Sequence, residues 1–107
     1  MYEFKYHRPA TVRQAANLLV KNEDAKLIAG GHTLVPVMKQ RLAAPPHIVD
    51  LTRIEGLSGI EMKGRSLAIG ATTKHAEVAD SVTVREAIPA LAELAGVIGD
   101  PAVRHKG

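Results

Sequence analysis

The chain of 107 residues contains no cysteine and no tryptophan, and only one phenylalanine and two tyrosines. Without thiols it can form no disulfide, no thiolate metal site and no cysteine nucleophile, and an iron–sulfur cluster would need ligands from another polypeptide. Because aromatic residues make up only 3% of the chain, its core must be built from Leu, Ile, Val and Ala. Few rings are left for stacking on nucleobases, which argues against a nucleic-acid partner.

Long apolar runs and blocks of one charge are also missing. No stretch approaches the roughly 18 apolar residues of a membrane-spanning helix, and the N-terminus carries no apolar signal segment. The 14 basic and 11 acidic residues give a net charge of +3 and are spread along the chain without a Lys/Arg-rich block. The sequence therefore predicts a cytoplasmic protein without a membrane span.

Strands and helices alternate in the pattern of residues 1–55. Thr11 and Gln14 fit a capping box at a helix start. The apolar residues of that helix recur at helical spacing and predict one buried face, formed by Val12, Ala15, Ala16 and Leu19. The predicted elements are an edge strand over 2–6, a helix over 12–21, a strand over 26–29, a helix over about 34–41 and a strand over 48–50. This β-α-β-α-β order implies short parallel strands covered by helices.

The pattern changes near residues 51–56, where we expect a boundary between two lobes, 1–55 and 56–107. Apolar stretches at 59–62 and 66–69 flank Lys63-Gly64-Arg65 and predict a β-hairpin. Thr73 is expected to cap a helix that runs to about Ala79. A further helix is predicted over 90–97 with Leu91, Leu94, Ala95 and Ile98 on one side, and the last nine residues are predicted to form a loop. The expected class is α/β with a small mixed sheet.

The most informative segment is Ala29-Gly30-Gly31-His32-Thr33-Leu34, between a predicted strand and a predicted helix. Two adjacent glycines allow positive φ angles and a close approach of the backbone to a bulky ligand. Successive backbone N–H groups in such a loop, backed by a helix N-terminus, form a natural site for phosphate. Most Gly-Gly pairs only turn the chain, so this motif alone leaves a simple turn and an anion site both open.

Other polar residues have simpler explanations. The histidines at 7, 47, 75 and 105 lack the spacing of a metal site, which predicts structural or exposed roles. Asp100 and Arg104 are spaced to form a local ion pair, and Thr72 and Thr73 fit a helix cap. No Ser–His–acid grouping and no paired carboxylates are indicated, so the sequence predicts no catalytic residue and no metal site.

Segments in a fixed order along nearly the whole chain carry a family resemblance. They are Phe4-Lys5-Tyr6-His7-Arg8-Pro9, the run 29–42, His47-Ile48-Val49-Asp50-Leu51, the run 69–78, and Ile98-Gly99-Asp100-Pro101 leading to Arg104 and Gly107. Together they resemble the FAD-binding domain of the molybdopterin dehydrogenase family. That family includes xanthine dehydrogenase and the medium subunit of aerobic carbon monoxide dehydrogenase.

The resemblance implies a cofactor and the residues that hold it. Ala29, Gly30, Gly31, His32, Thr33 and Leu34 would wrap the FAD pyrophosphate, with Thr33 in place of the family's usual serine but keeping the hydroxyl. The residues expected near the flavin end are Ala71, Thr72, Asp100 and Arg104. The implied fold is the FAD-binding PCMH type, with residues 1–55 as its N-terminal lobe. Residues 56–107 would begin the second lobe and stop before the family's second phosphate loop.

The implied function is that of the FAD-binding portion of a molybdenum-hydroxylase flavin subunit, which passes electrons from 2Fe–2S clusters to an external acceptor. A molybdenum-containing large subunit and a 2Fe–2S small subunit are the implied partners. The chain alone is expected to bind FAD weakly or not at all, to show no turnover and to self-associate. The alternative is an assembly or regulatory module that keeps the fold and has lost the flavin.

Overall fold

A computed structural model describes residues 2–107, and the chain divides into two compact units after Glu55. The first unit contains β1 (Lys5–His7), α1 (Val12–Lys21), β2 (Lys26–Ile28), α2 (Leu34–Lys39) and β3 (His47–Asp50). The second contains β4 (Ile60–Lys63), β5 (Ser66–Ile69), α3 (His75–Asp80), α4 (Val82–Ala87), α5 (Pro89–Gly96) and α6 (Pro101–Arg104). Within residues 2–107, no helix has the length and apolar character needed to cross a membrane.

The first unit is organised around a parallel sheet in the order β1-β3-β2. Tyr6 of β1 and Lys26 of β2 both lie beside Ile48, so β3 is the central strand. Ile48 and Val49 are both almost completely buried. Because successive strand residues point to opposite faces, both faces of the central strand must be covered. The predicted β-α-β-α-β arrangement with parallel strands is confirmed.

Helix α1 begins where its sequence predicts. The Thr11 hydroxyl accepts a hydrogen bond from the backbone N–H of Gln14 at 3.1 Å. The Gln14 side chain accepts from the N–H of Ala10 at 3.0 Å, one residue before the position expected in a capping box. The predicted buried face is partly wrong, because Ala15 is buried while Val12 and Ala16 are exposed. The side of α1 that faces inward is instead formed by Ala15 and by the half-buried Leu18 and Leu19, which lie one helical turn after it.

Helix α2 ends at Lys39, two residues earlier than predicted. The N–H of Leu42 donates to the carbonyl of Val37 and that of Arg41 donates to Met38, both at 3.0 Å. This pair of bonds is a Schellman motif, in which the residue after the C-cap takes a left-handed conformation. Arg41 fills that position with a φ of 58°, which stops the helix although a glycine is more usual there.

The second unit combines an antiparallel hairpin with a helical core. Lys63 of β4 lies opposite Ser66 of β5, so Gly64 and Arg65 form the turn, and Gly64 has a φ of 61°. The predicted hairpin is therefore confirmed. The buried core comes from helices and consists of Val78, Val84, Ala92 and Ala95, with partly buried hairpin residues packed against it.

Thr73 does not cap a helix. Its hydroxyl bonds both the N–H and the carbonyl of Gly59, at 3.0 and 3.1 Å, and so ties the end of the hairpin to its start. Helix α3 starts later, at His75, after Lys74. The prediction that Thr73 caps the helix was wrong, because its hydroxyl bonds the backbone of Gly59, which is distant in sequence, and not an N–H group of α3.

Three further expectations for the second unit need correction. Helix α4 was not predicted, although Ser81 caps it by accepting from the N–H of Val84 at 3.2 Å. In α5 the predicted apolar side is partly wrong: Ala95 is buried as expected, but the other buried residue is Ala92, and Leu94 is 59% exposed. The expected terminal loop contains the single turn of α6. Four to six residues are too few to show the periodicity on which a sequence-based helix prediction depends.

Candidate cofactor site

The glycine loop, residues 29–34, lies at the carboxyl end of β2. The N–H of Leu51, which follows the neighbouring strand β3, donates to the carbonyl of Ile28 at 3.1 Å and fixes the point where the loop begins. Gly31 has a φ of 81°, a conformation that L-residues rarely adopt. A Cβ at this position would lie 3.2 Å from Cγ2 of Val35. The close packing and the positive φ together explain why a glycine occupies position 31.

In the glycine loop, backbone carbonyls are hydrogen-bonded but, among the described residues, backbone N–H groups are not. The carbonyls of Gly31 and Thr33 accept from Val35 and Val37, at 3.0 and 3.3 Å. In contrast, none of the five consecutive N–H groups from Gly30 to Leu34 donates to a group within residues 2–107. A run of unpaired backbone donors suits an anionic oxygen. Helix α2 has only six residues, so these donors, and not a helix dipole, define the candidate site.

The side chains of the glycine loop are accessible. Ala29, His32 and Thr33 are exposed, and Gly30, Gly31 and Leu34 are half-buried. Thr33 is the N-cap residue of α2, but its hydroxyl makes no capping hydrogen bond, which leaves it available as a donor. The sequence-predicted segment is therefore an accessible loop with its polar groups available for a ligand.

A hydrogen-bonded cluster that was not predicted lies where β1 and β3 end. The Tyr6 hydroxyl donates to the Asp50 carboxylate, which also accepts from the N–H and the hydroxyl of Thr52 at 2.9 and 2.7 Å. Arg8 reaches the Thr52 hydroxyl at 3.5 Å. The register places Tyr6 and Asp50 on the same face of adjacent strands, a relation that strand pairing creates and that sequence spacing does not reveal.

The cluster shifts the ionisation of both acids. Burial by itself raises the pKa of Asp50, but the hydrogen bonds from Tyr6 and Thr52 outweigh it, so the pKa lies below its ordinary value. The hydrogen bond to Asp50 raises the pKa of Tyr6. An ionised Asp50 therefore holds the turn after β3, the same turn whose Leu51 bonds the start of the glycine loop.

Ala71 and Thr72 follow β5 in the second unit. The N–H of Thr72 donates to the carbonyl of Leu57 at 2.9 Å, and Ala71 is exposed. Gly70 passes so close to Leu57 that a Cβ on it would lie 2.2 Å from the Leu57 carbonyl oxygen. The turn that presents Ala71 and Thr72 is therefore held tightly against the segment before β4.

Asp100 and Arg104 do not form the predicted ion pair. The Asp100 carboxylate caps α6 by accepting from the N–H of Val103 at 2.9 Å. Arg104 donates from one guanidinium nitrogen to the carbonyls of Ile98 and Gly99, both at 3.1 Å. Within residues 2–107 the only salt bridge joins Glu61 and Lys63. The N–H of Val103, which the start of α6 leaves without a helical partner, binds Asp100, and the carbonyls before the helix bind Arg104.

The structure brings the two candidate segments of the second unit together. The N–H of His75, at the start of α3, donates to the carbonyl of Gly107 at 2.9 Å. This bond links the chain just after Thr72 to the chain just after Arg104. The six residues of the glycine loop belong to the first unit, and the four remaining candidates belong to the second.

His7 and His47 form a pair that the sequence did not reveal. Nε2 of His7 lies 3.0 Å from Nδ1 of His47, and the two rings stack with centroids 5.2 Å apart. No group of three or more His, Cys, Asp or Glu side chains with the arrangement of a metal site is found in the part of the chain that the structure describes. The pair joins β1 to β3 on the face opposite Tyr6 and Asp50.

A glycine loop at the carboxyl end of a parallel strand, with its N–H groups unpaired, is typical of α/β proteins that bind nucleotide cofactors. The comparison with known families agrees with this class. Residues 2–107 match the family described as the FAD binding domain in molybdopterin dehydrogenase, and the chain belongs to that family.

Individual relatives support the same assignment. The chain is 46% identical over 105 residues to the carbon monoxide dehydrogenase medium chain of Hydrogenophaga pseudoflava, and 38% identical over 108 residues to the xanthine dehydrogenase FAD-binding subunit of Escherichia coli O157:H7. These alignments cover 97% and 98% of this chain but only 37% of each relative.

The solved structures agree. A structure of carbon monoxide dehydrogenase from Hydrogenophaga pseudoflava, which lacks the Mo-pyranopterin moiety of its cofactor, matches with a TM-score of 0.95 at 45% identity. The match covers 99% of this chain and 37% of that one. The α/β fold expected from the sequence, of the PCMH type found in FAD-binding subunits, is confirmed.

Proposed function

We propose that this chain is the FAD-binding portion of the flavin subunit of a molybdenum-hydroxylase-type oxidoreductase. The observation that carries the proposal is the run of five unpaired backbone N–H groups from Gly30 to Leu34. Such donors match the anionic oxygens of a pyrophosphate. Residues 29–34 would hold that pyrophosphate through the backbone, and the Thr33 hydroxyl would add a further donor.

The remaining candidates are proposed to lie near the flavin end of the cofactor. Ala71 and Thr72 are presented by a turn held against Leu57, and Arg104 is fixed in direction by its bonds to Ile98 and Gly99. Asp100 keeps α6 in place as its cap. Bound FAD supplies the redox chemistry, while the chain supplies binding and orientation.

The electron donors are proposed to lie on other chains. Residues 1–107 contain no cysteine, so 2Fe–2S clusters with thiolate ligands would come from a small partner subunit and the molybdenum cofactor from a large one. An external acceptor would take the electrons from the flavin. The chain on its own would show no turnover, and the site of the complex would be cytoplasmic.

We also propose that the isolated chain binds FAD weakly and self-associates. On the helices of the second unit, the apolar side chains of Val82 and Leu94 are 67% and 59% exposed. Exposed apolar side chains favour association with a second copy. Light scattering of the purified chain would show a mass that rises with concentration, whereas a constant monomer mass would contradict this part of the proposal.

The alternative, a module that has kept the fold and lost the flavin, is not favoured. The family that residues 2–107 match is described as an FAD binding domain, and one of the relatives is named as an FAD-binding subunit. The backbone donors of residues 30–34, unpaired within residues 2–107, are also still free to bind an anion.

The test is flavin retention by the longest natural form of the protein that contains this chain. We expect Gly31→Val to abolish retention, because the side chain would meet Val35 and strain a backbone with a φ of 81°. Thr33→Val should weaken retention, and Thr33→Ser should restore it. Bound flavin is measured by visible absorbance after gel filtration, and folding by circular dichroism.

A matched control separates loss of the ligand from loss of the fold. Gly64→Val imposes a similar backbone strain, since Gly64 has a φ of 61°, but in the hairpin turn and with open space around it. This variant should lose some stability and keep its flavin. Full flavin retention by Gly31→Val would refute the assignment of the loop.

A further inference from the structure

A second candidate binding site lies in the first unit, between the end of β1 and one side of α1. It is an open depression of about 420 Å³, a volume within the usual range of small-molecule pockets. Its lining includes Arg8 and Pro9 after β1, and Asn17, Leu18 and Lys21 on α1. It contains no residue of the glycine loop, so it is a feature separate from the proposed FAD site.

The charge of the depression has one sign. Arg8 and Lys21 line it and no acidic residue does. Neither side chain has a carboxylate within salt-bridge distance in residues 2–107. The charge of Arg8 makes a small contribution to lowering the pKa of Asp50, but Asp50 already accepts hydrogen bonds from Tyr6 and Thr52. Lys21 therefore has no carboxylate partner within residues 2–107 and lies in the last turn of α1, where the helix end compensates only part of its charge, and the charge of Arg8 is also only partly compensated.

The rest of the lining is mainly apolar or already engaged. Leu18 is half-buried and provides hydrocarbon surface, Pro9 is buried and forms part of the wall, and the ring of His7 is held by its bond to His47 at 3.0 Å. Gln14 also lines the depression, but its side-chain oxygen accepts from Ala10. Asn17 adds an amide for which the structure shows no hydrogen bond within residues 2–107.

We propose that this depression binds a small organic anion. The apolar body of the ligand would lie against Leu18, and its carboxylate or phosphate would lie within reach of Arg8 or Lys21. An extended peptide is a less suitable occupant, because β1 is an edge strand of only three residues that carries Lys5, and short edges with lysine resist pairing with another strand.

The test is a titration of the isotope-labelled protein, in the longest natural form that contains this chain, followed by amide NMR, with three probes that separate charge from apolar contact. Benzoate carries both features, inorganic phosphate carries only the charge, and benzyl alcohol carries only the ring. We expect saturable shifts centred on residues 8–9 and 17–21 with benzoate, and at least about fivefold weaker binding of the other two probes. Phenyl phosphate in place of benzoate distinguishes the phosphate from the carboxylate form of the ligand.

Substitutions test whether the charges of Lys21 and Arg8 bind the anion. Lys21→Gln and Arg8→Gln should each weaken benzoate binding about fivefold, whereas Arg13→Gln, which removes an exposed charge from the same helix outside the depression, should not. Thr52→Val shows whether an effect of Arg8 arises through its contact with Thr52. Equal effects of Lys21→Gln and Arg13→Gln, equal binding of phosphate and benzoate, or shifts scattered over the chain would each overturn the proposal.

Discussion

The two units of the chain are similar in length but bury different kinds of residue. In the first, the fully buried side chains, Ile48 and Val49, are neighbours on the central strand of a parallel sheet. In the second, the fully buried Val84 lies on a helix, and neither strand of the hairpin contains a buried residue. A three-stranded sheet covered on both faces has a central strand that is shielded on every side, whereas a two-stranded hairpin has only edges.

Gly31 of the first unit and Gly70 of the second are needed for different reasons. Gly31 faces the flexible side chain of Val35, and its main constraint is a positive φ. Gly70 has no positive φ, but a Cβ there would meet the backbone of Leu57, which cannot turn aside. The loop of the first unit is thus shaped by local conformation, and the turn of the second by close approach of two backbone segments.

The largest effect should come from the central strand of the first unit. Ile48→Ala should lower the free energy of unfolding by about 3 kcal/mol, because the fully buried side chain would leave a cavity. Ile69→Ala in the partly exposed hairpin should cost about 1 kcal/mol. Urea unfolding followed by NMR signals from each unit measures both values, and equal costs would contradict the proposed difference between sheet and hairpin.

A smaller loss is expected at the close backbone contact of the second unit. Gly70→Ala should cost about 2 kcal/mol, because the Leu57 segment must move to admit a methyl group. Gly64→Ala is the control, since Gly64 has a positive φ and open surroundings, and it should cost about 1 kcal/mol from backbone strain alone. If the order of the two losses is reversed, close approach does not explain why position 70 is a glycine.

The smallest effect should be the pH dependence of the Tyr6–Asp50 hydrogen bond. The pKa of Asp50 is lowered in the folded state, so its contribution is present above the ordinary carboxyl pKa of about 4 and is lost as the pH falls through the folded value. The pKa of Tyr6 is raised, so its contribution is present below about pH 10 and is lost as the pH rises through the raised value.

Tyr6→Phe tests this dependence. The difference in stability between the wild type and this variant should be largest at neutral pH and should shrink at both extremes. The Asp50 carboxyl, followed by carbon NMR, should titrate at a higher pH in the variant. Tyr2→Phe serves as the control, because the ring of Tyr2 contacts Arg41 and the structure shows no carboxylate partner for its hydroxyl within residues 2–107. An unchanged Asp50 titration in Tyr6→Phe would contradict the assigned cause.

Local signals predicted much of the fold correctly. Helix α1 lies where the Thr11–Gln14 cap and its ten-residue pattern place it, and the Gly64 turn identified the hairpin. The elements that were missed, α4 and α6, have six and four residues, and each depends on a single capping side chain, Ser81 or Asp100. A cap without a periodic segment after it is too weak a signal to separate a short helix from a turn.

In the candidate site, too, the sequence predicted some features correctly and missed those that depend on the fold. The order of motifs in the sequence was enough to indicate the family, and the adjacent glycines identified the loop at 29–34, whose role in binding FAD stays a prediction. Sequence spacing alone misassigned Asp100, Arg104 and Thr73, because the partner of each is a backbone group whose position depends on the fold. It also gave no indication of the Tyr6–Asp50 bond or the His7–His47 pair, which exist only because β1 lies beside β3.

The sequence by itself determined what the chain is made of and where it turns. The absence of cysteine, the cap of α1 and the positions of the glycines follow from residue identity and local sterics. Only the tertiary structure decided which groups meet. Strand order set the register that joins Tyr6 to Asp50, and packing set the approach of Gly70 to Leu57. The reason is physical: local conformation depends on a few neighbouring dihedral angles, whereas a contact between distant residues depends on every element that lies between them.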